Sequence, residues 1–153
     1  MRVLGIDPGI ERVGWGIVIT DGGTSTYQDC GCITTSKELE HCERISQISR
    51  ELRAIIHRFE PDRAIIEKVF FAKNKKTAIK VSEARGAILL VLTEENIKTQ
   101  EYTPLEVKMG LTGNGRAEKK QVAWVVKNIL KIKHDIAFDD AYDALALCLM
   151  ARK

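Results

Sequence analysis

The apolar residues of this chain change their period near residue 35, and that change constrains the fold more than any other feature. Up to about residue 34 they fall in three short β-rich runs, Arg2 to Ile6, Val13 to Thr20 and Ser25 to Thr34. Pro8-Gly9 and Asp21-Gly22-Gly23-Thr24 separate them, which is turn chemistry and predicts an antiparallel meander. From Leu39 onward the spacing becomes three and four: Leu39, Cys42, Ile45, Ile48, Leu52, Ile55, Ile56 and Phe59. One face of a helix has that spacing, with Ser36 as its expected cap and Pro61 beyond its end.

Arg63 to Val69 then carries Ala64-Ile65-Ile66, the continuous apolar core of a strand buried on both faces, as a parallel central strand would be. A second helix is predicted from about Lys75 to Glu95 on Ala78, Val81, Ala84, Ile88, Val91 and Leu92, and a short strand from Thr99 to Thr103. Pro104 opens a short helix to about Leu111, and Thr112-Gly113-Asn114-Gly115-Arg116 forms a basic loop into a helix from Ala117 to Leu130. The last helix is placed at roughly Asp139 to Ala151. Strands followed by alternating helices and strands make a mixed α/β domain, and 153 residues without repeat or linker predict a single domain over 1–153.

No apolar run approaches the roughly 18 to 20 residues that span a bilayer. The start, Met1 to Asp7, lacks the apolar core of a signal peptide, so the expected location is cytoplasmic, with no membrane partner. Cys30, Cys32, Cys42 and Cys148 are then expected as free thiols, since C-x-C followed by His41-Cys42 lacks the spacing of zinc knuckles.

The net charge of +3 is small but unevenly spread. Residues 1 to 60 hold 7 basic and 9 acidic side chains, and the rest of the chain holds 17 and 12. Two stretches concentrate the excess: Lys68, Lys73, Lys75, Lys76 and Lys80, and then Lys108, Arg116, Lys119, Lys120, Lys127, Lys131 and Lys133 opposed only by Glu118. Either is a solvated lysine face or a track for a phosphate backbone.

Four acids sit where chemistry would need them. Asp7 follows the apolar strand Val3 to Ile6, Glu67 follows Ala64-Ile65-Ile66, and Asp140 and Asp143 are three apart at the start of the last helix, sharing one face. Separately, each has an ordinary explanation: a turn, an ion pair, a helix-dipole contact. Converging at one sheet edge they would repel unless cations filled the cluster, and hard oxygen donors suit Mg²⁺ or Mn²⁺. Two such ions roughly 3.5 to 4 Å apart serve phosphodiester hydrolysis.

These residues resemble the RuvC family of Holliday junction resolvases. The likeness rests on five ordered motifs: Leu4-Gly5-Ile6-Asp7-Pro8-Gly9 with Gly14-Trp15-Gly16, Ile66-Glu67-Lys68-Val69-Phe70-Phe71-Ala72-Lys73-Asn74, Ala84-Arg85-Gly86, Gly113 to Lys119, and Asp140-Ala141-Tyr142-Asp143-Ala144-Leu145-Ala146. The resemblance implies a ribonuclease H-like fold, with a mixed five-stranded sheet flanked by helices. It also implies a homodimeric, Mg²⁺-dependent endonuclease that nicks a four-way DNA junction symmetrically, working with the branch-migration proteins RuvA and RuvB. By the same likeness Asp7, Glu67, Asp140 and Asp143 match the metal-binding acids, two ions to a site, with Mn²⁺ as a substitute. Lys108 and Lys119 match lysines at the scissile phosphate, and Phe70 matches the aromatic that enters the junction. Phe71, Lys73, Lys75, Lys76, Arg116 and Lys120 are assigned to the DNA surface, with one of Phe70 and Phe71 expected in the core. Arg85 is either structural or DNA-facing.

The chain departs from the family pattern at Lys68, where an uncharged polar residue is usual, and at the Asp139-Asp140 doublet, where Asp140 keeps the spacing to Asp143. Three other functions are weaker. A nuclease for RNA or another branched substrate would share the fold, an actin-like ATPase would need a second domain, and a silent junction binder would gain nothing from an acid cluster at a phosphate.

Overall fold

The computed structural model describes residues 1–68 and 75–151, with Lys75 and Lys76 described in backbone only. In chain order the elements are β1 (Arg2–Asp7), β2 (Arg12–Asp21), β3 (Thr24–Thr34), α1 (His41–Phe59), β4 (Arg63–Glu67), α2 (Lys75–Glu94), β5 (Lys98–Tyr102), α3 (Pro104–Thr112), α4 (Lys119–Ile129) and α5 (Asp139–Cys148). The sheet order is β3-β2-β1-β4-β5. The first three strands are the antiparallel meander, and β4 and β5 add to it in parallel.

Alternation along the inner strands divides the core into two layers. Leu4 and Ile6 of β1, with Ala64 and Ile66 of β4, face Ile48, Leu52 and Ile56 of α1 and Ala84, Ile88, Val91 and Leu92 of α2. Val3 and Ile65 face the other way, onto Val122 and Val126 of α4 and Leu145 and Leu147 of α5. That is why Ala64-Ile65-Ile66 reads as an unbroken apolar run.

Two helix starts differ from the sequence expectation. Ser36 does not cap α1: its hydroxyl accepts from the Glu38 amide at 3.1 Å and closes a turn. The helix begins at His41, where the Glu40 amide donates to Glu43 Oε2 at 2.9 Å, leaving Leu39 outside and Cys42 exposed. Likewise α4 starts at Lys119, after Glu118 donates its amide to Gln121 Oε1 at 2.9 Å. Both are capping boxes, in which a side chain three residues on takes up a first-turn amide.

On one face α5 lies directly against β1 and β2 because glycines make room for it. A Cβ at Gly5 would stand 1.9 Å from the Ala144 carbonyl oxygen, and one at Gly14 2.0 Å from that of Asp140. Among the described residues no helix is long and apolar enough to cross a membrane.

Candidate active site

Parallel pairing of β1 with β4 up to Ile6↔Ile66 brings Asp7 and Glu67, the last residues of the two strands, to the same sheet edge. The close approach of α5 over Gly14 sets its first turn at that edge, with Asp140 and Asp143 nearly one helical turn apart. Asp7, Glu67 and Asp143 line a cleft of about 270 Å³ together with Lys108 of α3 and Lys119 of α4. Its apolar wall includes Val107, Val122 and Leu147, which exclude water from one side of the acids. Asp140 stands beside the cleft toward β2, paired with Arg12.

The electrostatics show how strained this grouping is. Burial first, then repulsion from Glu67, Asp143 and Asp140, pushes the Asp7 carboxyl up to about 8, with Lys119 acting against the shift. Glu67 is raised by burial and by Asp143, opposed by Lys119 and Lys108. Lys119 Nζ donates to Asp143 Oδ2 at 2.8 Å, and this bond raises the lysine. Arg12 Nε lies 2.9 Å from Asp140 Oδ2 without hydrogen-bond angles, so that buried oxygen has an ion pair but no hydrogen bond.

An acid cluster with one carboxyl held near 8 and one buried oxygen lacking a donor has the chemistry of a hard-cation site. Among the described residues, no three His, Cys, Asp or Glu side chains stand grouped to hold a metal ion as they are. Lys119 and Arg12 currently balance Asp143 and Asp140, so a divalent cation would take over the charge that they neutralise. The donor set fits such an ion, with a shift of these two basic side chains.

Of the acid doublet, Asp140 reaches Asp7 electrostatically, while Asp139 is exposed at the first position of α5. Arg116 and Lys120 are exposed and outside the cleft, with Lys120 lining a separate hollow beside Trp124. Phe70, Phe71 and Lys73 lie outside the described residues, and Lys75 and Lys76 are the first backbone positions of α2.

Sequence reasoning passed over Arg12 and left Arg85 open. The β1–β2 hairpin pairs Asp7 with Gly14, so a residue two before Gly14 returns to the acid edge, and the turn length was there to be read. Arg85 points inward, donating from Nε to the Glu67 carbonyl at 3.1 Å.

The comparisons with known proteins agree with this geometry. Residues 3–151 match the family model described as crossover junction endodeoxyribonuclease RuvC. A crossover junction endodeoxyribonuclease RuvC from Borrelia turicatae (strain 91E135) is 48% identical over 151 residues, covering 97% of this chain and 94% of that protein. The structure of Thermus thermophilus RuvC superposes with a TM-score of 0.88 at 34% identity, covering 97% of this chain and 92% of the other. The T. thermophilus protein in complex with Holliday junction substrate gives a TM-score of 0.91 at 35% identity, covering 97% and 91%. The mixed sheet, its flanking helices and these likenesses give a ribonuclease H-like fold, and the chain belongs to the RuvC family of crossover junction endodeoxyribonucleases.

Proposed function

We propose that the protein is a single-domain endonuclease that resolves four-way DNA junctions by paired symmetric nicks, as a cytoplasmic homodimer acting with RuvA and RuvB in recombination and repair. The observation that carries this reading is the cleft that gathers Asp7, Glu67 and Asp143 with Lys108 and Lys119. Asp7, Glu67, Asp140 and Asp143 would hold two Mg²⁺ ions, with Mn²⁺ as a substitute. When bound, such ions activate a water and stabilise the leaving oxygen in phosphodiester hydrolysis.

The chain's own residues supply the rest. Lys119 and Lys108 offset the negative charge of the acids and can pass to a phosphate oxygen entering the cleft, where charge builds up during hydrolysis. The Val107, Val122 and Leu147 wall shields one side of the cleft from water, while Lys119 reaches in from the solvent side. Arg116 and Lys120, with Lys73, Lys75 and Lys76, would hold the backbone without reading sequence. Phe70 is proposed to enter the junction centre, where stacking on an unpaired base contributes about 1–3 kcal/mol, with Phe71 assigned to the DNA surface beside it.

The test is cleavage of a labelled mobile four-way DNA junction with Mg²⁺, beside a linear duplex and an RNA–DNA hybrid, by wild type and Asp7→Asn. Paired nicks in the junction alone, absent in the variant while junction binding persists, are expected. Cleavage of the hybrid would move the substrate to RNA and keep the metal chemistry; binding without cutting by wild type would overturn the reading.

A further inference from the structure

Glu67 is the last residue of β4, and the neighbouring strands stop offering amides at this edge. β1 pairs with β4 as far as Ile6↔Ile66, then runs through Asp7 into Pro8. β5 accepts the Lys68 amide at the Tyr102 carbonyl, 2.8 Å, and after Thr103 reaches Pro104. Proline has no N–H, so neither ladder can be extended past these points.

A side chain reaches this edge from outside the sheet. Arg85, from the middle of α2, donates from Nε to the Glu67 carbonyl at 3.1 Å and from Nη2 to the Glu101 carboxylate on β5. Its side chain is only 18% exposed, so the guanidinium is spent inside the protein and not offered to DNA. One planar fork thus ties α2, the end of β4 and β5 together. An ammonium group, a point charge on a flexible stem, has no such fixed geometry.

We infer that Arg85 is a positioning residue for the reaction: it clamps the backbone from which Glu67 projects into the cleft. The inference rests on the reading of Glu67 as a ligand in a metal-dependent nuclease site. With neither ladder supplying an amide to the Glu67 carbonyl, the Arg85 bond fixes this peptide, and a displacement of about 1 Å at a reacting centre can lower a rate on the order of 10²-fold.

The experiment compares wild type, Arg85→Lys and Glu101→Gln in the full chain, each first shown to be folded by thermal unfolding. Arg85→Lys is expected to lower single-turnover cleavage of a synthetic four-way junction by about 10- to 100-fold. Its junction affinity, measured in EDTA, should stay at the wild-type value. Its affinity for Mn²⁺ without DNA, read by titration calorimetry, should fall by about 10-fold. Glu101→Gln keeps an oxygen acceptor for Arg85 Nη2 and leaves the Arg85 bond to the Glu67 carbonyl in place, and should behave as wild type. A wild-type rate and Mn²⁺ affinity in Arg85→Lys would overturn the inference. So would parallel losses of rate and junction affinity, which would make Arg85 a DNA contact. Were wild type itself unable to nick junctions, the Mn²⁺ titration alone would decide, unchanged affinity overturning the clamp. Were Arg85→Lys unfolded, Glu101→Ala takes its place: it removes the second anchor and is expected to show the same pattern at smaller amplitude, and wild-type behaviour there would overturn the inference.

Discussion

Asp7 concentrates the conflict of the site in one side chain. Its carboxyl titrates near 8 in the folded protein, against 3.8 for the ordinary group. Between about pH 4 and pH 8 the unfolded chain has released a proton that the native chain still holds, so stability falls as pH rises through this window. Glu67, raised for the same reason, acts in the same direction. In EDTA the melting temperature of wild type should therefore decline from pH 5 to pH 8, and Asp7→Asn should melt higher at pH 8 with the gap closing toward pH 5. Thermal unfolding across that range checks it, and a gap independent of pH would remove the burial argument. These acids could be picked out in the sequence because each ends an apolar run or begins a helix. Arg12 carried a weaker mark: the hairpin length returns it to the acid edge, but only the packing of α5 sets Asp140 beside it.

At the scale of elements, most strands and helices were legible because burial writes itself into spacing. Ala64-Ile65-Ile66 had to lie between two layers, and it does, with Ala64 and Ile66 on one core and Ile65 on the other. The start of α1 was not legible: Ser36 and Glu40 both offer plausible first-turn chemistry, and the choice depends on where the chain leaves β3. Nor could the sequence show that Gly5 and Gly14 are needed for contact with α5, because a strand glycine looks alike whether it bends the chain or admits a neighbour. Gly14→Ala follows from that contact. Its methyl would meet the Asp140 carbonyl oxygen at 2.0 Å, so α5 must shift away from β2. We expect a destabilisation of about 1–3 kcal/mol, typical of overpacking. Because α5 carries Asp140 and Asp143, cleavage should fall even where the variant is fully folded; urea unfolding beside a single-turnover assay would separate the two effects.

Over the whole molecule, charge and site lie together. The basic excess of residues 61 to 153 includes Lys108 and Lys119 inside the cleft and Arg116 and Lys120 just outside it. Binding to a junction should weaken linearly in log affinity against log salt, and Arg116→Ala or Lys120→Ala should each flatten the slope by about 0.9 if it touches one phosphate. A gel-shift series across salt concentrations reads this, and an unchanged slope would take that residue off the backbone track.

The sheet edge draws its acids from both ends of the chain: Asp7 from the first strand, Asp140 and Asp143 from the last helix. A ribosome adding about 5–20 residues per second makes Asp7 roughly 7 to 27 seconds before Asp143. A nascent chain therefore holds at most Asp7 and Glu67 of the four until α5 is made. On the proposed reading of these acids, the chain gains its cleaving ability only once translation reaches α5.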